Sequence, residues 1–265
     1  MLIAQITDLH IGFDRDNPHE VNVRRLNLVI DQLNDLQPRP ELLLVTGDLV
    51  ENGDDVGAYS HMIALVGRWH GPAMWVIGNH DDRANFRAAL PQVPVDANGF
   101  VQYEQDFGGI RWIVIDTLDA GRHGGAFCEL RAAWLTERLA ERTDDPTIIV
   151  LHHPPVDTGI EWMSAEPQEL WVQRLRAAIE PAGQVRAMIA GHVPDRDQLR
   201  RQAADDRSID RAVGRARPRP CRPASPRRAR PDRRRRAGLC ASPLGRRTLA
   251  DPFRDRRAAQ RNRNL

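Results

Sequence analysis

Lysine is absent from all 265 residues, and every one of the 38 basic side chains is an arginine, a usage that fits a GC-rich gene. Cysteine is scarce. Cys128, Cys221 and Cys240 show no C-x-x-C spacing and form no disulfide framework, which points to a reducing compartment and a cytoplasmic location. No apolar run is long enough to cross a bilayer, and the chain opens on the apolar stretch Leu2–Ile6 with no charged and apolar leader before it. Neither a membrane span nor a signal peptide is therefore expected. Aromatic residues make up only 5%, too few to interleave with arginines in the manner of a nucleic-acid reader.

What is present is unevenly spread. The net charge of +2 conceals an asymmetry, because 15 arginines precede Pro194 and 23 follow it. Up to residue 193, short apolar runs alternate with amphipathic stretches. The runs Leu2–Ile6, Leu42–Thr46, Ala73–Ile77, Phe100–Tyr103, Trp112–Asp116, Thr147–Leu151 and Val185–Ala190 read as strands, several apolar at every position, as strands covered on both faces are. Leu26, Val29, Ile30, Leu33 and Leu36 recur at helical spacing, as do Leu130, Trp134, Leu135 and Leu139, and Gln168–Ile179 reads as a third helix. This rhythm predicts a layered α/β domain with its function at the carboxyl ends of the strands.

From Pro194 onward the texture changes. Prolines recur, Arg233–Arg236 are consecutive, and apolar runs disappear, so residues 194–265 are expected to form a disordered Arg/Pro-rich tail beside an incomplete domain over 1–193. Permitted codons for Pro194 through Asp210, read one base later, can encode a strand, a Gly-Lys turn and a second strand. A change of reading frame near residue 193 explains that, and a genuine arginine-rich tail is the alternative.

Four clusters carry the chemistry: Asp8-Leu9-His10, Gly47-Asp48, Gly78-Asn79-His80-Asp81 and Gly191-His192, each just after an apolar run. Residues two apart in an extended segment point the same way, so Asp8 and His10 can grip one ion. Asp48 has two oxygens and can bridge two ions, and the missing side chain of Gly47 lets the backbone turn closely beneath one. Asn79 adds an amide oxygen, and His152 and His192 add nitrogens. Mixed oxygen and nitrogen donors without thiolate suit manganese, iron, zinc or cobalt better than calcium. His19, His61, His70 and His123 lie in polar or helical contexts and read as solvated surface residues.

Taken in order, D-x-H, G-D, G-N-H-D, the Leu-His-His-Pro-Pro segment and G-H resemble the calcineurin-like metallophosphoesterases over residues 1–193, most of all their bacterial cyclic-nucleotide phosphodiesterases and glycerophosphodiesterases. The resemblance implies a four-layer αββα sandwich, here with its C-terminal strands missing. It also implies a dinuclear centre of iron or manganese, with zinc or cobalt as alternatives. It makes Asp8, His10 and Asp48 ligands of the first ion, and Asp48, Asn79, His152 and His192 ligands of the second. His80 becomes the non-ligand histidine facing the phosphate, catalytic together with Asp48. Asp81 is then either the residue that orients His80 or a loop cap, and His153 either supports a ligand from behind or is structural. The implied substrate is a small phosphodiester, with a homodimer in the intact family form.

One departure stands out: the family's G-H-x-H ends in a histidine, and here that position is Pro194, which has no donor atom. A degenerate remnant of the enzyme, and a nucleic-acid-binding protein acting through its basic tail, are the rival readings.

Overall fold

The structure, a computed structural model, describes residues 1–193; the expected tail, reading-frame change and missing strands lie outside the described residues. Strands β1 (Ile3–Ile6), β2 (Leu42–Thr46) and β3 (Ala73–Val76) form a parallel sheet in that order. Strands β4 (Tyr103–Phe107), β5 (Ile110–Val114), β6 (Thr147–Leu151) and β7 (Val185–Ala190) form a second sheet, antiparallel between β4 and β5 and parallel elsewhere. Helices α1 (Val21–Asp35), α2 (Val56–Val66) and α3 (Arg83–Ala89) accompany the first sheet, and α4 (Glu129–Glu141) and α5 (Leu170–Ile179) the second.

The alternation of side chains along the second sheet explains the layering. Trp112, Val114 and Val150 join the apolar cluster built by β1–β3 and α1, whereas Ile113, Ile115, Ile149 and Leu151 face Leu135 and Leu139 of α4 and Leu175 and Ile179 of α5. The order is therefore helices, sheet, sheet, helices, the αββα sandwich that the resemblance implied. Every residue of β2 is buried, as its unbroken Leu-Leu-Leu-Val-Thr run requires. Each fully buried leucine there contributes about 2–3 kcal/mol at most.

β2, β6 and β7 match the expected bounds. The fourth strand does not: it runs Tyr103–Phe107 rather than Phe100–Tyr103, and β5 starts at Ile110 instead of Trp112. The two form a hairpin turning at Gly108 and Gly109, both with positive φ, and pair Phe107 with Ile110. Glu104, Gln105 and Asp106 are polar because β4 is an edge strand, so no apolar run marks them. Two helices are additional to the three expected. α2 is apolar on nearly every face and so lacks an amphipathic stripe, while α3 has only seven residues. Both start on a capping aspartate: Asp55 Oδ1 accepts from Ala58 N–H and Asp82 Oδ1 from Asn85 N–H, each at 2.9 Å. Among the described residues no helix is long and apolar enough to cross a membrane.

Candidate metal centre

The loops leaving the carboxyl ends of β1, β2, β3, β6 and β7 carry Asp8, Asp48, Asn79, His152 and His192 respectively, and they converge. The first two loops run side by side: Asp8 N–H donates to Gly47 O, His10 N–H to Asp48 O and Ile11 N–H to Leu49 O. Gly191 N–H donates to His152 O at 3.0 Å, and His192 N–H to Asp8 Oδ2 at 3.0 Å, which joins the last loop to the first. Among the described residues, the non-glycine residues with positive φ are Asp8, His10, Asp48 and His192. A left-handed backbone at a side chain costs free energy and persists where the surroundings impose it, as at functional sites.

Asp48 is the centre of the arrangement. Its Oδ2 lies 3.8 Å from His10 Nε2 and 3.5 Å from His152 Nε2, while its Oδ1 accepts from His80 N–H at 2.9 Å. One donor atom from each of Asp8, Asp48, His152 and His192 lies within 4.8 Å of the others, and the same holds for His10, Asp48 and His80. Asp48 is common to both groups. The grouping differs in detail from the resemblance, for Asp8 falls with His152 and His192, and His80 takes its place beside His10.

Hydrogen bonds at the far nitrogen of each ring decide which nitrogen faces inward. His152 Nδ1 lies 2.7 Å from Thr46 O and His80 Nδ1 lies 2.8 Å from Glu51 O; a carbonyl only accepts, so both Nδ1 atoms carry the proton. His10 Nδ1 lies 2.9 Å from Glu51 Oε2 and is fixed the same way. The three Nε2 atoms are left facing the centre. His152 Nε2 also faces His192 Nδ1 at 3.2 Å, so electron-rich atoms gather around a buried carboxylate and call for a cation.

The ionisation behaviour shows the same pull toward positive charge, met by a proton on His152. Burial pushes the Asp48 carboxyl up, yet the His152 ring and the His80 N–H outweigh it and hold Asp48 below the usual carboxylate range. Burial disfavours a charge on His152, but the facing Asp48 carboxylate, with Asp8 behind it, pushes its pKa up to about 9. His192, buried and beside His152, is pushed down to about 4.

Two further observations fit a bound ion. The Oδ1 atom of Asn79 is buried with no hydrogen-bond partner, while its Nδ2 donates to His123 Nδ1 at 3.3 Å. A Cβ on Gly78 would collide with Asp48 Oδ1 and His152 Nε2, so the cradle needs glycine there. The room left by Gly47 goes to the His152 ring, not to an ion beneath the turn, since a Cβ on Gly47 would meet that ring.

Two residues, His123 and Glu51, have roles that the sequence did not lead us to expect. His123, expected at the surface, is exposed but belongs to the site, its ring centroid 4.9 Å from that of His192. Glu51, not singled out, holds both His10 and His80. Asp81 is the loop cap of the two alternatives: its carboxylate accepts from Leu49 N–H, Gly78 N–H and Tyr59 O–H, tying the Asp48 loop to the Asn79 loop. Burial, with the charge of Asp48, pushes the Asp81 carboxyl up to about 7. His153 is buried, with Nδ1 2.9 Å from Thr117 Oγ1, and one of its nitrogens lies within 4.8 Å of a nitrogen of His152 and of His192.

Comparison with known proteins places these features in context. The family model for calcineurin-like phosphoesterase matches residues 1–196. The chain is 34% identical over 203 residues to a cAMP/cGMP dual specificity phosphodiesterase of Mycobacterium tuberculosis, covering 72% of this chain and 61% of the relative. It is 37% identical over 154 residues to a probable cyclic nucleotide phosphodiesterase of Rhodopseudomonas palustris, covering 56% of each. A glycerophosphodiester phosphodiesterase of Enterobacter lignolyticus is 32% identical over 199 residues, with 72% and 70% covered. The chain thus spans less than two thirds of the length of the first two of these relatives. Among solved structures, a purple acid phosphatase from yellow lupin seeds shares the fold, with a TM-score of 0.51, 18% identity, and 72% of this chain and 37% of that one covered.

Proposed function

The chain belongs to the calcineurin-like phosphoesterase family, and from that premise we propose that it is a metal-dependent phosphodiesterase acting on small molecules such as 3′,5′-cyclic nucleotides or glycerophosphodiesters. The observation that carries this reading is the position of Asp48, whose Oδ2 faces His10 Nε2 on one side and His152 Nε2 on the other. One carboxylate shared by two sets of donors suits a pair of ions.

By the family pattern Asp8, His10 and Asp48 would hold the first ion, and Asp48, Asn79, His152 and His192 the second, although the Asp8 donor atom groups here with the second set. Iron or manganese suits this donor set, with zinc or cobalt as alternatives. The ions would polarise the phosphate and acidify water toward neutral pH. The chain's own contribution is orientation and proton transfer. Thr46 O, Glu51 O and Glu51 Oε2 fix the three imidazoles so that each presents Nε2. His80 faces the phosphate and, when protonated, hydrogen-bonds it through Nε2 or delivers that proton to the departing alkoxide oxygen. His123 stands beside Asn79 at the edge of the donor cluster. A cytoplasmic location, where Cys128 stays a free thiol, belongs to the same proposal.

The test is hydrolysis of bis(p-nitrophenyl) phosphate by the purified chain with added Mn²⁺. Wild-type protein should release p-nitrophenol and Asp48→Ala should not, while thermal unfolding confirms that the variant is folded. A folded wild-type protein inert at every metal concentration, or an Asp48→Ala variant as active as wild type, overturns the proposal.

A further inference from the structure

Two loops meet at the lip of the donor cluster. One follows β5 and carries His123; the other joins β6 to α5, starts with the donor His152 and contains, among the described residues, the one 3-10 turn, Glu161–Met163. His123 accepts from Asn79 Nδ2, and its ring lies 4.9 Å from that of His192, so it borders the place a phosphate would occupy. Trp162 stacks against the same His123 ring, with centroids 5.7 Å apart and planes 30° from parallel. Yet Trp162 is 64% exposed and belongs to neither apolar cluster of the core. The fold gains little from it, and an indole left in water beside a polar site invites a ligand.

The loop that presents Trp162 is fastened by its own bonds. Ser164 Oγ accepts from Thr158 N–H at 3.0 Å and lies 2.8 Å from Ile160 O, Met163 N–H donates to Ile160 O, and Ala165 N–H closes the base on Val156 O. An indole held on such a turn needs little ordering when a ligand arrives.

Building on the phosphodiesterase reading, we infer that Trp162, backed by His123, is a stacking platform for a planar aromatic ester group, so that the site prefers phosphodiesters carrying a nucleobase or aryl group over those carrying only aliphatic alcohols. Every nucleobase has a π face that an indole can cover, and a glycerol ester has none. The platform acts on binding of the ester group and leaves the reacting phosphate to the donors below.

Isothermal titration of the full chain, supplemented with Mn²⁺, separates the possibilities. Adenosine 5′-monophosphate is the aromatic probe and glycerol 3-phosphate the aliphatic one. Trp162→Ala should weaken adenosine monophosphate binding about tenfold and leave glycerol phosphate unchanged, and Trp162→Phe should recover most of the loss. An unchanged affinity for adenosine monophosphate in Trp162→Ala, or equal weakening of both probes, overturns the inference while the phosphodiesterase reading stands. A wild-type protein that binds neither probe removes that reading and the inference with it.

Discussion

Glu51 Oε2 lies 2.9 Å from Nδ1 of His10, and the carbonyl oxygen of Glu51 lies 2.8 Å from Nδ1 of His80. One residue thus sets the tautomer and tilt of two rings that meet edge to face at 4.6 Å. Its two groups separate by mutation, because only the side chain holds His10. Glu51→Ala should lower Mn²⁺ affinity by about 10–100-fold, the usual effect of removing the partner of a metal-bound histidine. Glu51→Gln keeps an accepting oxygen and should recover most of the loss. Calorimetric titration with Mn²⁺ checks both, and an unaltered affinity in Glu51→Ala would show that His10 is not a ligand.

Asp81 supports the site from below. Three donors from three segments, Leu49, Gly78 and Tyr59, converge on its buried carboxylate. Asp81→Ala leaves buried N–H groups unpaired and should cost about 3 kcal/mol, measured by denaturant unfolding. Tyr59→Phe removes one hydroxyl, which also accepts from Asp82 N–H, and should cost about 1 kcal/mol. A destabilisation of Asp81→Ala no larger than that of Tyr59→Phe would contradict this role.

Much of the fold and site was legible for identifiable reasons. The runs at β2 and β6 are almost wholly apolar because both faces are covered, and β7 interrupts its apolar run only at the exposed Arg186, so the ends of these runs coincide with the ends of the strands. Each expected donor follows the end of an apolar run, at β1 and β3 as well, and so could be picked out by position. Strand β4 was hidden because three of its five residues are polar on an open edge. His123 was hidden because its partners Asn79, Trp162 and His192 are remote in sequence, while Gly121 to Gly125 locally reads as a surface loop. The left-handed backbone at Asp8, His10, Asp48 and His192 leaves no local mark at all, since it is imposed by the loops packed around them. Glu51 did carry a signal, a carboxylate three residues beyond Asp48 in the same loop, but its two partners come from other strands.

Pro194 supplies no donor where the family pattern has a histidine, so the ion proposed beside His10 would have the poorer set of ligands. The two ions should therefore bind with clearly different affinities in a Mn²⁺ titration. Pro194→His should tighten the weaker one by more than about tenfold, since a ligand counts for more than the partner of one. Two equal affinities in the wild-type protein, unaltered by the substitution, would contradict this account.

The most direct measurement is anomalous scattering from crystals of the chain grown with Mn²⁺, read at the manganese edge. The account predicts an anomalous peak bounded by Asp48, Asn79, His152 and His192 and a second, weaker one on the His10 side of Asp48. Crystals with Mn²⁺ bound elsewhere on the protein, and none within reach of Asp48, would contradict it.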